Sequence, residues 1–218
     1  MKAMILAAGR GERMRPLTDT IPKPLLEVNG LSLIEHQLLA LKKSGINEFI
    51  INIAIMGNQI QQKLNDGTDY GVTIHYSDEG DSPLETAGGI IQALDFFQEP
   101  FLVTNADIYT HFDYKTLPTS LSGLAHLVLV DNPPHHPQGD FVLNDGQVLS
   151  SGEPKLTFSG ISIYHPAFFE SLAKGERPLA PLLFAAADKN VVSGQHFKGY
   201  WNDVGTPARL QKVNADKA

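Results

Sequence analysis

The sequence predicts an α/β protein with a mostly parallel central sheet, helices on both faces and a smaller β-rich portion, continuous over residues 1–218 as a single domain. Three observations carry this. The opening run MKAMILAA is nearly all apolar and of strand length, the signature of a strand buried on both faces. Strand-like and helix-like segments alternate through the first half, as in βαβ units. The chain is 42% hydrophobic and 19% charged, which excludes disorder, collagen and coiled coil, and its length suffices for a core without staples.

The elements follow in order. After the first strand comes a glycine-rich loop, then LSLIEHQLLALKK (31–43), where Leu31, Ile34, Leu38 and Leu41 recur at helical spacing before the Ser44-Gly45 stop. EFIINIAI (48–55) is a second buried strand, NQIQQKL a short helix and VTIHY (72–76) a third strand. TAGGIIQALDFF (86–97) predicts a helix and FLVTN (101–105) another buried strand. Beyond it, GLAHLVLV (123–130) is a strand, and DFVL and QVLS flank Asn144-Asp145-Gly146, a hairpin turn. SGISIYH (159–165) is a strand followed by helices near 167–173 and 181–187. A last β segment, VVSGQHFKGYWNDVG, runs into Thr206-Pro207, an N-cap and first helical residue.

Composition excludes several functions. With no cysteine there is no disulfide framework, thiolate metal site or cysteine nucleophile. No apolar run reaches the roughly 20 residues of a membrane span, and the apolar start breaks off at Arg and Glu too early for an export signal; a cytoplasmic protein is expected. Net charge is −7, which argues against nucleic acid or anionic membrane as partners. The first 23 residues depart from that balance: Lys2, Arg10, Arg13, Arg15 and Lys23 face only Glu12 and Asp19, a local +3 in a chain whose other 195 residues carry −10. Such a patch suits a small anionic ligand, although a solvated basic loop has the same composition.

The loop LAAGRGERMRPLT lies where the first βα connection crosses the C-terminal edge of the sheet, the ligand edge of open α/β folds. Gly9 and Gly11 allow close backbone approach to phosphate, and Arg13 and Arg15 supply planar, permanently charged donors. It is not a dinucleotide fingerprint, since Met14 stands where the third glycine belongs. It is not a P-loop, because no Gly-Lys-Ser/Thr follows.

LAAGRGERMRPLT with PKPLLEVNG resembles the paired start motif of the sugar-1-phosphate nucleotidyltransferases, the nucleotide-sugar pyrophosphorylases. The resemblance continues through ETAGGI (85–90), TNADIY (104–109), GDFVL (139–143), GEPKLTFSGISIYHP (152–166) and WNDVGTPARL (201–210), nearly the whole chain. It implies a Rossmann-like mixed sheet, a β-rich sugar-binding portion, and an enzyme that joins an NTP to a sugar 1-phosphate with release of pyrophosphate. The short length and the GDFVL and TFSGISIYHP segments look most like the uridylyltransferases acting on N-acetylmuramic acid 1-phosphate in peptidoglycan recycling. Thymidylyl-, guanylyl- and cytidylyltransferases, and a non-catalytic sensing subunit of the same fold, are the alternatives. The implied partners are small-molecule substrates, and the implied assembly a monomer or small homo-oligomer.

By the same resemblance, Ala8, Gly9, Gly11, Glu12, Arg13, Lys23, Gly88 and Asn105 bind the nucleotide, with Arg13 and Lys23 catalytic. Asp107 and Asp203 hold Mg²⁺, for which Mn²⁺ substitutes, and Asp140 and Glu153 face the sugar phosphate. Residue chemistry alone leaves each of these open. Lys23 is fixed between Pro22 and Pro24, but an exposed loop lysine fits as well. Asp107 ends a buried strand, where a hard cation would find an oxygen and where turn residues are equally common. Gly88 and Gly89 suit either a base or close helix packing; Asp140 and Glu153 suit a sugar or a hairpin edge. The sole tryptophan, Trp201, suits stacking or burial. Tyr109 two residues after Asp107 argues against the D-x-D pair of a glycosyltransferase. The histidines show no metal-ligand spacing, and His135-His136 in a proline-rich loop suggest a lid at 133–137.

Overall fold

A computed structural model describes residues 1–216; the last two of the expected 1–218 span lie outside the described residues. The main sheet is built from β1 (Ala3–Leu6), β4 (Glu48–Ile53), β5 (Thr73–Asp78), β6 (Phe101–Asn105), β8 (Ala125–Val130), β9 (Val142–Asn144), β10 (Gln147–Leu149), β11 (Thr157–Tyr164) and β12 (Val192–Phe197). These nine strands lie in the order β5-β4-β1-β6-β11-β8-β12-β10-β9. The β1/β4, β4/β5, β1/β6 and β8/β12 pairs are parallel, while β11 and β10 oppose both their neighbours. Seven of the nine strands therefore point one way, as the sequence predicts.

Side-chain alternation divides the core between the two faces of the sheet. Ala3 and Ile5 of β1 pack with Phe49 and Ile51 of β4 against Ile34, Leu38 and Leu41 of α1 (Leu33–Lys43) and Ile60 and Leu64 of α2 (Gly57–Leu64). Met4 and Ile50, one residue out of phase, pack on the other face with Ile90 of α3 (Glu85–Gln92) and Leu183 of α4 (Ala180–Asp188). A third cluster matters most for function. Met14, wholly buried, joins Val28 of β2 (Glu27–Val28), Leu33, Tyr109 of β7 (Ile108–Thr110), Val204 and Val213 of α5 (Pro207–Ala215). Burying such a side chain stabilises by roughly 1.5–3 kcal/mol, so this cluster pins the glycine loop onto the end of the chain.

Four local expectations are corrected. Leu31 and Ser32 are not helical; they form β3 (Leu31–Ser32) against β2, and α1 starts after Ser32, whose N–H is held by Glu35 Oε2 at 2.9 Å. The helix expected at 86–97 ends at Gln92 and continues only as a tight turn over Leu94–Phe96. No α-helix forms at 167–173: His165 caps one turn over Pro166–Phe168, and Phe169 then turns in to pack on Phe101 and Tyr164. The last β segment is two strands in two sheets. β12 joins the main sheet, whereas β13 (Trp201–Asp203) pairs antiparallel with β7. The hairpin forms as expected, with Asp145 and Gly146 both at positive φ, and Thr206 caps α5 by accepting from Arg209 N–H.

Candidate active site

The C-terminal ends of β1, β4 and β6 open into a cleft of about 850 Å³. Its floor is the glycine loop. Gly11 sits at φ +63, where L side chains are strained, and starts the turn that points Met14 inward and leaves Arg13 exposed. Among the described residues the N–H groups of Gly9, Arg10 and Gly11 make no hydrogen bond, so they are free donors for an anion. Ala8, Gly9, Gly11, Glu12, Arg13 and Lys23 all line this cleft, so the structure brings the expected phosphate loop together in one place.

Lys23, with its side chain 11% exposed, forms an ion pair with Asp107 across the cleft. Asp107 occupies the turn between β6 and β7, and that turn is braced from below. The Gln37 amide donates to the Ile108 carbonyl at 2.7 Å and its Oε1 accepts from Tyr114 Oη at 2.5 Å. Burial pushes the Tyr114 phenol well above its ordinary value, so the hydroxyl stays a donor.

Asp203 comes to the same place through the β7/β13 ladder, where it stands opposite Ile108, and Val204 N–H donates to the Asp107 carbonyl at 2.8 Å. The two aspartates, 96 positions apart in sequence, are thus joined at one ladder end. Their carboxylates have different partners. Asp203 Oδ2 pairs with Arg209 at 2.5 Å; Oδ1 is buried, 3.1 Å from His135 Nε2, yet receives no hydrogen bond among the described residues. Asp203 is not part of the lining of the cleft, whereas Asp107 is. Among the described residues no group of three His, Asp or Glu side chains has metal-cage geometry. The pair still fits a divalent cation: it offers hard carboxylate oxygens, one of them buried without a donor, beside a loop of unpaired N–H groups.

A second cavity of about 310 Å³ adjoins the cleft, and Leu6, Glu85, Thr86 and Asn105 line both. Asn105 therefore stands at the junction. A Cβ at Gly160, which lies at φ +80 beside the β11 irregularity, would come within 2.6 Å of Asn105 Nδ2, so glycine there makes room for the amide. Asp140 lines this second cavity; its carboxylate accepts from Phe158 N–H at 2.8 Å and contacts His136 at 2.9 Å. Glu153 is exposed and lines neither cavity.

Gly88 lies apart from both linings. It is buried against the 175–177 segment, where a Cβ would collide with the Gly175 carbonyl. Close packing accounts for the absence of a side chain at this position. Trp201 is half-buried, its indole N–H donating to the Ser159 carbonyl at 3.0 Å, which favours the packing reading. His136 contacts Asp140 at 2.9 Å, whereas His135 Nε2 accepts from Arg209 N–H at 2.8 Å and so gives Asp203 no hydrogen bond.

Residue patterns missed the far wall. Asn52, buried at the end of β4, accepts from Ala7 N–H at 2.8 Å and donates to Glu79 Oε1 at 2.6 Å; Glu79 Oε2 accepts from Leu84 N–H at 2.7 Å. A Cβ at Gly89 would collide with Glu79 Oε1, so that glycine keeps the network intact. An amide interrupting the apolar run EFIINIAI was the available signal. Arg209 was missed because only the tertiary fold sets it on Asp203.

The comparisons agree with this geometry. The family profile "Nucleotidyl transferase" matches residues 2–141. The N-acetylmuramate alpha-1-phosphate uridylyltransferase of Neisseria meningitidis serogroup B is 51% identical over 227 aligned positions, covering 99% of this chain and 97% of that protein. The mannose-1-phosphate guanylyltransferase catalytic subunit beta of Dictyostelium discoideum is 31% identical over 95% of this chain, which spans 62% of that protein's length. A crystal structure from Bacillus anthracis, described as a glucose-1-phosphate thymidylyltransferase in complex with sucrose, superposes with a TM-score of 0.87 at 25% identity, covering 100% of this chain and 96% of that one. A Rossmann-like sheet with a glycine loop at the mouth of its cleft, in a chain matched along nearly its full length by such relatives, makes this chain an enzyme of the nucleotidyl transferase family, among its sugar-1-phosphate nucleotidyltransferases.

Proposed function

We propose that the enzyme transfers a uridylyl group from UTP to N-acetylmuramic acid α-1-phosphate, releasing pyrophosphate, as a step of peptidoglycan recycling. The observation that carries this reading is the pair of adjoining cavities: one floored by Gly9, Gly11, Arg13 and Lys23, the other holding Asp140, with Asn105 on their shared wall. That arrangement supports the NTP in the cleft and the sugar in the side cavity, with the reacting phosphates meeting at the seam. The 51% identical relative named for this substrate supports the choice of nucleotide and sugar.

An oxygen of the sugar 1-phosphate attacks the α-phosphorus in line, and pyrophosphate leaves. No covalent enzyme intermediate is needed, so positioning and charge stabilisation carry the catalysis. The loop N–H groups and Arg13 bind the departing phosphates, and Lys23 binds the phosphates at the reacting centre. Asn105 orients the nucleotide, and Asp140 accepts hydrogen bonds from the sugar. Asp107 and Asp203 would hold Mg²⁺, or Mn²⁺ in its place, which when bound supplies neutralising charge to phosphate oxygens. The negative net charge supports small-molecule partners rather than nucleic acid. Among the described residues no helix is long and apolar enough to cross a membrane, and we read the enzyme as cytoplasmic, a monomer or small homo-oligomer.

The test crosses four NTPs with a set of sugar 1-phosphates and reads released pyrophosphate. UTP with N-acetylmuramic acid 1-phosphate is expected to give the highest kcat/KM. A higher value with TTP, GTP or CTP, or with another sugar, would reassign the substrates; silence across the whole panel would point to a sensing subunit.

A further inference from the structure

Among the described residues six non-glycine positions have positive φ: Asn29, Met56, Asn65, Glu85, Asp145 and Asn190. Four are Asn or Asp, whose short polar side chains tolerate that region. Of the six only Glu85 lines the cleft or the side cavity, and it lines both, at φ +62. The backbone at the first residue of α3 therefore calls for glycine and carries a carboxylate instead. Among the described residues that carboxylate makes no hydrogen bond or ion pair, although it stands on the wall where the two cavities meet. Glu85 is exposed, so water serves its carboxylate, and no contact within the fold offsets the cost of the positive φ.

What a carboxylate can do there follows from its surroundings. It accepts hydrogen bonds only. Phosphates would repel it, and the cleft already answers them with Arg13 and Lys23. The side cavity is walled by Phe141, Phe158 and Phe184, with polar groups confined to a few positions that include Asp140 and Ser162. Aromatic faces beside convergent acceptors suit a sugar ring, whose C–H faces pack on the rings while its hydroxyl or amide N–H groups donate.

We infer that Glu85 is a specificity-determining residue that accepts a hydrogen bond from a hydroxyl or amide N–H of the acceptor sugar. This rests on the proposed function, in which the side cavity takes the sugar. The residue is held at a cost to the fold for the sake of that contact.

Glu85→Gly, Glu85→Ala and Glu85→Gln separate the two consequences. Relief of the positive φ is expected to raise the melting temperature of Glu85→Gly by a few degrees, and not that of Glu85→Ala. In the same Glu85→Gly protein the KM for the sugar 1-phosphate rises about tenfold or more, the loss of a hydrogen bond to a charged acceptor, while the KM for the NTP stays within about twofold. Glu85→Gln, which keeps one acceptor oxygen, falls between. With a sugar 1-phosphate lacking the donating group, wild type and Glu85→Gly become equal. An unchanged sugar KM in Glu85→Gly, or a rise confined to the NTP, overturns the assignment while the wild-type turnover leaves the proposed function standing. Failure of the wild-type chain on every sugar 1-phosphate would overturn the function, and the assignment with it.

Discussion

Asn52 at the end of β4 and Glu79 just beyond β5 are hydrogen-bonded at 2.6 Å, and through them the Ala7 N–H before the glycine loop is linked to the Leu84 N–H before α3. One buried amide thereby sets both the floor and the far wall of the cleft. Asn52→Asp keeps the acceptor for Ala7 but places two carboxylates in contact, and is expected to cost about 1–3 kcal/mol of stability and to raise the KM for the NTP. Glu79→Gln added to it restores a donor–acceptor pair, because the new amide donates to the carboxylate introduced at position 52 and its oxygen still accepts from Leu84 N–H. Recovery of most of the lost stability in the double variant, read as the coupling in a denaturation cycle, checks the network; strictly additive losses would refute it.

Arg13 and Met14 are neighbours with opposite roles. Arg13 is exposed in the cleft and Met14 is wholly buried beneath it. Arg13→Ala should lower kcat/KM by about 10²-fold while leaving the melting curve within about 0.5 kcal/mol of wild type. Met14→Ala should cost about 2–5 kcal/mol of stability. Wild-type turnover in a folded Arg13→Ala protein would remove the arginine from the mechanism.

The aspartates joined by the β7/β13 ladder should act as a unit. Asp107→Asn and Asp203→Asn each nearly abolish turnover, and the double variant is little worse than either, since coupled groups are not additive. Chelator should stop the reaction and Mg²⁺ or Mn²⁺ restore it, with the fold intact by circular dichroism throughout. Turnover that persists in chelator would mean no catalytic metal sits there.

Asp140 and Glu153, alike on sequence grounds, are separated by their positions. Asp140→Asn should raise the KM for the sugar phosphate and leave that for the NTP nearly unchanged, because its carboxylate lines the side cavity. Glu153→Ala should be the milder variant, since Glu153 is exposed and outside both linings. Calorimetry with each substrate distinguishes these outcomes from a general loss of affinity.

His126 supplies a pH dependence unrelated to catalysis. Burial holds its pKa below the ordinary value of 6.5, with the Gln195 hydrogen bond opposing the shift. Its neutral ring contacts Ser193 Oγ at 2.9 Å and Gln195 Oε1 at 3.1 Å. The unfolded chain therefore takes up the proton first as pH falls, and stability should decline below about 6.5 down to the lowered folded value. His126→Gln should flatten that part of the urea-denaturation profile; an identical pH slope in the variant would exclude His126 as its source.

The sequence by itself determined the order of the main-sheet strands through β6 and of the helices between them, and it singled out the glycine loop that follows β1. Buried strands declare themselves by composition, and the glycine loop, Arg13 and Lys23 are local in the chain, so their chemistry is readable without distance information. Helix ends and short strands were not readable, because the start of α1 after Ser32 depends on β3 pairing with β2, and the turn at Pro166–Phe168 on Phe169 finding Phe101. Tertiary structure alone decided which distant groups meet. The β7/β13 ladder brings Asp203 to Asp107, the fold sets Arg209 on Asp203, and the 175–177 segment packs against Gly88. It also decided that Glu85, inconspicuous in the string ETAGGI, stands at φ +62 on the wall between two cavities. Backbone conformation and long-range pairing are set by the closure of the whole sheet, and no window of sequence contains them.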